Sequence, residues 1–283
     1  MKFDLHCHTK GGSIDAKVAL PRYIELLKDH GFSGMLVTDH DSYKGFRQWK
    51  AEQEASASSD AECDAGEDFV VLEGVEYDTR DAGHILVILP DGVKLDVLQV
   101  RGLKLETLLD LVHHFGGILG PSHPFGTKGS SIMHFKLIHR HPNLLKKFDF
   151  IEGFNTCENH TSNYLARKLA ELWDKPCTGG SDSHSEDCVG KGYTVFNTAI
   201  RCNNDLIAAI QQRQIAEIGG IARSESRRAR VKNHTVSVWA FRTYNRIIGF
   251  FLALRRRRHL KFLPLPLSQP FEASEESCSA ETP

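Results

Sequence analysis

No two cysteines in this 283-residue chain are spaced Cys-x-x-Cys, and their odd number, seven, would leave any disulfide framework with an unmatched thiol. A reducing compartment suits that pattern, because thiols persist in the cytoplasm and pair in secreted proteins. The N-terminus lacks the basic-then-apolar order of a signal peptide, and no run of about 18 apolar residues marks a membrane-spanning helix. The expected location is therefore cytoplasmic. Acidic residues are scarce in one place. Arg223 to Lys261 holds twelve Lys and Arg against the single acid Glu225, so the remainder is acidic although the whole carries a net charge of −1. Hydrophobic content of 41% and charged content of 25% are ordinary for a globular protein, and the length allows one barrel-sized domain or two small ones.

What is present starts at the N-terminus. Phe3-Asp4-Leu5-His6-Cys7-His8 reads as a strand whose alternation sends His6 and His8 to one face and Leu5 and Cys7 to the other. Neutral imidazoles about 7 Å apart along a strand can converge on one cation. One His-x-His alone is a weak signal, and further histidine or acidic clusters at the ends of hydrophobic runs strengthen it.

A helix opens at Pro21, with proline in its first turn, and closes at Gly31. The apolar run from Gly34 delivers Asp39-His40-Asp41. A helix from about Tyr43 runs into an acidic, Ala- and Ser-rich insertion over 51–67. Strands are expected from Phe69 to Glu76 and from Gly83 to Leu89, and a helix from Leu105 to Phe115. Ile118-Leu119-Gly120 leads into Pro121-Ser122-His123-Pro124. A strand over Phe148 to Asn155 and a helix over Asn163 to Trp173 come next, then a strand from Pro176 that opens into Ser181-Asp182-Ser183-His184. Tyr193 to Phe196 and a helix from Asn203 to Gln212 complete the alternation. Polar groups recur at strand C-termini, the face on which β/α barrels assemble their sites. An open doubly wound sheet is the rival, but clusters from six strands converge more easily on a closed ring.

The candidate ligands are His6, His8, Asp15, His40, Glu76, His84, His123, Asp182 and His184. Six imidazoles and three carboxylates exceed what one tetrahedral ion needs, which points to two or three divalent ions. Each has an ordinary structural explanation when taken singly: His84 as a core histidine, His123 as a turn residue, Asp15 as a helix cap. Their joint placement favours metal. The mixed donor set suits manganese, zinc or iron. Lys128 and Lys191, both beside glycines, are candidates for binding a phosphate oxygen, with solvated surface lysines as the alternative.

His6-Cys7-His8, Thr38-Asp39-His40, Gly74-Val75-Glu76, Gly83-His84, Ser122-His123-Pro124 and Gly180-Ser181-Asp182-Ser183-His184, taken as an ordered set, resemble the polymerase-and-histidinol-phosphatase (PHP) phosphoesterases over about residues 1 to 222. The resemblance implies an α/β fold, a distorted seven-stranded TIM-like β/α barrel, with a trinuclear metal site. Carried over by position, one ion would bind His6, His8, Glu76 and Asp182. A second would take Glu76, His84 and His123, with Glu76 bridging, and a third Asp15, His40 and His184. Glu76 is preferred to Glu73 because it ends its strand and matches the family's Gly-x-Glu. Asp39 is expected to brace an imidazole, Cys7 to face away, and Cys157 and Cys188 to pack.

The implied activity is hydrolysis of phosphate mono- or diesters by a metal-activated hydroxide, on nucleotides or oligonucleotides first. A histidinol-phosphatase-like phosphomonoesterase and a non-catalytic metal- or phosphate-binding PHP protein are the alternatives. Beyond the resemblance lie a basic amphipathic segment, 223–262, and a tail, 263–283, expected to be disordered. Positions 241, 244, 248 and 251 fall on one helical face, and Arg255 to Arg258 follow. Three readings of that segment stand: a terminal helix packed on the barrel, an interfacial helix on an anionic membrane giving peripheral association, or a basic strip holding nucleic acid.

Overall fold

The computed structural model describes residues 1–57, 69–223, 234–261 and 263. Most of the acidic insertion, the start of the basic segment and the tail beyond 263 lie outside these residues. Seven strands make the ring: β1 (Lys2–Cys7), β2 (Gly34–Val37), β3 (Val70–Asp78), β4 (His84–Ile88), β5 (Ile118–Pro121), β6 (Ile151–Asn155) and β7 (Cys177–Gly180). The first five pair in chain order, and β6 pairs with β7 in parallel. The two arcs are joined by isolated bonds instead of ladders. Asp149 N donates to Leu119 O at 2.9 Å across one seam, and Asp182 N donates to His6 O at 2.8 Å across the other. This is the distorted ring expected from the sequence. Outside it, β8 (Gly192–Phe196) pairs antiparallel with the start of β1 and carries β9 (Ile215–Gly220). β9 has no counterpart in the sequence reading, because none of its residues is fully buried and no apolar alternation marks it.

Two local features differ from expectation. β4 runs antiparallel to both β3 and β5, so His84 enters the mouth from a strand's N-terminal end. The reason is length: parallel strands need a crossover of about a dozen residues, and only a tight turn joins Asp78 to His84. Gly83 supplies its left-handed step at φ 77°. The second difference is in β1, where Leu5 and Cys7 do not share a face. The register of β1 on β2 slips between Asp4 and Cys7. Phe3 and Leu5 pack inside the ring with Leu36, Leu72 and Phe150, whereas Cys7 packs outside with Tyr23, Leu27 and Met35. A bulge re-aims the strand in this way. Asp4 pins it, accepting from His6 N at 3.3 Å and Ser181 N at 2.8 Å.

The helices are α1 (Leu20–Asp29), α2 (Lys44–Ala57), α3 (Leu105–His114), α4 (Lys136–Arg140), α5 (His160–Leu172), α6 (Asn203–Gln211), α7 (His234–Phe251) and α8 (Ala253–Lys261). In α1, Pro21 occupies the first turn and Leu20, Tyr23 and Leu27 form the buried stripe. Leu27 is fully buried, so truncation to alanine would cost about 2–5 kcal/mol. α5 is capped by Asn159, whose side chain accepts from Ser162 N at 2.8 Å. Leu206, Ile207 and Ile210 of α6 join the interior cluster of Leu36, Leu72, Leu86, Ile118 and Phe150. The other end of the ring carries polar groups.

Candidate metal centre

Six strands and one loop deliver the nine candidate ligands to one mouth. His6 and His8 come from β1 and the residue after it, His40 from just beyond β2, and Glu76 from β3. His84 starts β4, His123 follows β5, and Asp182 and His184 follow β7. Asp15 comes from the loop before α1. His123 and Asp182 have φ of 31° and 52°, a left-handed conformation that side chains rarely adopt. Neighbouring groups hold both: His123 N donates to Glu152 Oε2 at 2.5 Å, and Asp182 N to His6 O. Strain kept at a functional mouth in this way is common.

Glu76 is the centre of the arrangement. Its two oxygens lie 3.0–3.4 Å from ring nitrogens of His6, His8, His40, His84 and His123. Asp182 Oδ1 lies 3.6 Å from His6 Nε2 and 3.2 Å from His8 Nε2. His6, His8, Glu76 and Asp182 therefore offer one compact, buried donor set. Two further sets are His40 with Glu76 and His84, and His8 with His40 and His184. Asp15 Oδ2 stands 3.2 Å from His184 Nε2 and 3.9 Å from His40 Nε2. His123 Nε2 lies 3.2 Å from Glu76 Oε1, and the His40 ring faces Glu76 with Nδ1 and Asp15 with Nε2.

The hydrogen bonds behind the ligands fix their tautomers. His6 Nδ1 donates to Glu152 Oε1 at 2.8 Å, and His8 Nδ1 to Ser13 Oγ at 3.2 Å, while Ser13 Oγ donates to Asp39 at 2.9 Å. In the neutral rings both Nε2 atoms are then acceptors, and they face each other at 3.1 Å. Two lone pairs and two carboxylates aimed at one point need positive charge between them. Glu76 Oε2 and His40 Nδ1 lie 3.1 Å apart without the geometry of a hydrogen bond. The donor chemistry thus fits divalent metal ions, with imidazoles braced as metal-bound histidines usually are.

The electrostatics agree. Burial drives the Glu76 carboxyl upward, but His84, His6 and His40 outweigh it and hold it well below the ordinary range. Burial likewise disfavours the Asp182 carboxylate, and His6, His8 and Lys128 overcome that. For His8, burial lowers the pKa, and hydrogen bonds to Asp182 and Glu76 reverse the effect to about 9.

Several contributors escaped the sequence reading. Glu152 serves two histidines at once, through the His6 ring and the His123 backbone. Its signal was available: a carboxylate inside the apolar strand of Phe150 and Ile151. Asp78 lies 2.5 Å from His84 Nε2 and also pairs with Arg101. It sits two residues past Glu76, hence on the same strand face. Ser131 meets His123 Nδ1 at 3.1 Å. Asp39 acts through Ser13 rather than by touching a ring. Glu73 points away, to Arg47 at 3.0 Å.

The centre opens into a cleft of about 580 Å³. Lys128 lines it, exposed, and the Asp182 carboxylate holds its ammonium above the usual lysine range. Lys191 is not among the lining residues. Tyr244 and Ile248 of α7 and Leu252 of the turn after it form part of the wall. Tyr244 is itself 53% exposed, and Phe251, Trp239, Ile247, Phe250 and Leu254 are exposed as well. The side chain of Phe241 lies outside the described residues. No helix among the described residues is long and apolar enough to cross a membrane.

A family model described as PHP-associated matches residues 160–215. Among solved structures, PsfC from Pseudomonas syringae aligns with a TM-score of 0.56 at 18% identity, covering 86% of this chain and 98% of that one. A two-domain protein from Bacteroides vulgatus, containing a predicted PHP-like metal-dependent phosphoesterase, aligns at 0.51 and 16% identity, over 76% of this chain and 64% of its own. The chain has a PHP-type fold. The lesion-specific endonuclease PfuEndoQ from Pyrococcus furiosus shares that PHP-type fold, with a TM-score of 0.56 at 18% identity, over 77% of this chain and 58% of its own. No curated protein matches the chain by sequence.

Proposed function

We propose that this protein is a metal-dependent phosphoesterase whose centre holds two to three divalent ions. The observation that carries the reading is Glu76: one fully buried carboxylate with five imidazole nitrogens within 3.4 Å. Such density of donors serves no packing purpose, since burying charge without a counter-ion is costly. His6, His8, Glu76 and Asp182 would hold one ion; Glu76, His84 and His123 a second, with His40 adjoining; and Asp15, His40 and His184 the third. Bound ions of this kind lower the pKa of water toward about 7 and neutralise phosphoryl oxygens.

The chain's own residues do the rest. Glu152 and the Ser13–Asp39 pair keep His6 and His8 turned with Nε2 inward. Lys128 brings a protonated ammonium to the cleft beside Asp182, where a phosphoryl oxygen would accept from it. The buried strand ends exclude bulk water from the inner donors.

Nucleotides or oligonucleotides are the substrates we favour. The fold likeness to a lesion-specific endonuclease supports this choice, and so does a second groove of about 530 Å³ lined by Lys94, Arg255, Arg258 and His259 together with Asp96. Lys94, Arg255 and Arg258 would follow the phosphates of a longer strand. The test is a screen of the full chain, stripped by chelator and reloaded separately with manganese, zinc or iron, on aryl phosphate, histidinol phosphate, mononucleotides and single-stranded oligonucleotides. Turnover in at least one metal form is expected, with oligonucleotide affinity falling steeply as salt rises. Bound metal with no turnover of any ester would leave a binding protein instead.

A further inference from the structure

The segment beyond the PHP-like residues contributes to the cleft. Tyr244, Ile248 and Leu252 are four apart and so lie on one side of α7 and the turn after it, and all three line the cleft with Ile14, His84 and Lys128. Two contacts hold this wall in place. Arg256, a buried cation at the start of α8, donates through Nη1 to Arg101 O at 2.6 Å and through Nη2 to Gly249 O at 2.7 Å. The Arg101 guanidinium stacks on the Tyr244 ring at 5.2 Å and pairs with Asp41 and Asp78. Asp78 in turn contacts His84. The wall is thus tied, through Arg101 and Asp78, to a metal-ligand candidate.

An apolar wall is unexpected beside such a charged centre. Imidazoles, carboxylates and Lys128 suit a phosphoryl group, and nothing about a phosphoryl group calls for tyrosine, isoleucine and leucine. We propose that Tyr244, Ile248 and Leu252 form a subsite for the alcohol portion of the substrate, and that this portion carries an aromatic or alkyl group. The proposal rests on the phosphate-ester reading for the ligand's other end. Cavities of a few hundred Å³ with an apolar lining and a few polar groups are the usual form of small-ligand sites. Here the three side chains lie along one wall of a cleft whose other lining is mostly polar, which suits a ligand with a charged end and an apolar end.

Phosphonates test the subsite without turnover, because their C–P bond is not hydrolysed. Calorimetric titration of the full-length, manganese-loaded protein compares phenylphosphonate with methylphosphonate. The wild type is expected to bind the phenyl compound about tenfold more tightly, in line with the discrimination an apolar pocket provides. In Ile248→Ala/Leu252→Ala that preference should shrink to less than about threefold while methylphosphonate affinity stays unchanged, which also reports an intact centre. Ile248→Val, the milder change, should lose part of the preference and guards against misfolding of the double variant. Equal binding of both phosphonates by the wild type, binding of neither, or a preference retained by the double variant overturns the subsite. A preference accompanied by no hydrolysis of any ester would sustain the subsite and remove the phosphoesterase reading.

Discussion

The two halves of the candidate metal centre are built differently. The side chains of His6, His8, Glu76 and Asp182 are 0–5% exposed, whereas Asp15 is 59% exposed and His40 and His184 are 23% and 22% exposed. The inner imidazoles are locked by Glu152 and by Ser13 with Asp39. The outer half depends on a carboxylate from a surface loop. Preformed donors lose little freedom on binding an ion, and a loop carboxylate loses more. The inner ions should therefore be retained through dialysis and the outer one released first. Glu76→Gln strikes the inner half at its shared point. Elemental analysis should find metal content reduced by more than one ion per chain, and activity should fall by more than about 100-fold, beyond the range seen for residues that only brace a ligand. Loss of a single ion would mean that Glu76 does not bridge.

Protons compete with metal most strongly in the inner half. His8 is raised to about 9 in the metal-free protein by its contacts with Asp182 and Glu76, after burial has pulled the other way. It carries a proton at neutral pH that a cation must displace. The sign follows: apparent metal affinity should rise as pH increases toward about 9, by up to about tenfold per pH unit for each proton released. Competition titrations with a chromophoric chelator between pH 6.5 and 9 would measure it. A flat profile would mean that the inner pair is already neutral.

Glu152→Gln sharpens the comparison by leaving every proposed ligand intact. The amide can still accept from His6 Nδ1, but its NH2 would then face the His123 N–H that Oε2 now accepts. One donor is set against another in a buried place. Loss of about 10–100-fold in metal affinity or activity is expected, with the inner ions affected and the outer one spared. Release of the outer ion instead would show that the two halves are coupled through His8.

What the sequence disclosed and what it withheld follow a pattern. The cluster of candidate ligands was legible because histidines and acids at strand ends stand out against apolar runs, and the ring was legible because six such ends had to meet. The bulge in β1 was not. Alternation counts residues, and a slip between Asp4 and Cys7 changes no residue type, only the face that Leu5 and Cys7 occupy. The direction of β4 was recoverable from the short link between Asp78 and His84. Ser13 gave no signal, since a serine in a loop is ordinary until its partners are known. Spacing puts 241, 244, 248 and 251 on one helical face, whereas the residues that line the cleft are 244 and 248 with 252, where the helix yields to a turn before α8.

Asp15→Asn tests the outer half directly. Asp15 is held below the ordinary carboxylate range, burial opposing and the hydrogen bond from His184 prevailing with help from His40. An exposed residue on a loop leaves water free to replace it as a ligand. Less than about a tenfold loss of activity is expected, below the range for buried braces, with the inner ions retained at wild-type content. If Asp15→Asn empties the whole centre, the halves are one cooperative site and the contrast between them fails.

The smallest effect should come from the acid nearest Glu76 in sequence on the opposite strand face. Glu73 lies three residues before it, and an odd offset along β3 turns the side chain to the other face. There it meets Arg47 at 3.0 Å, both groups partly exposed. An ion pair in that setting contributes about 0.2–1 kcal/mol, and the desolvation that makes buried charges expensive is mostly absent. Asn203 binds the Glu73 backbone, at N and O, and those bonds survive a side-chain change. Glu73→Gln should therefore keep full metal content and full activity, with a shift in thermal midpoint of no more than about 1–3 °C. A loss of metal from Glu73→Gln while Glu76→Gln retains it would place β3 one face out of register and reassign the centre's shared carboxylate.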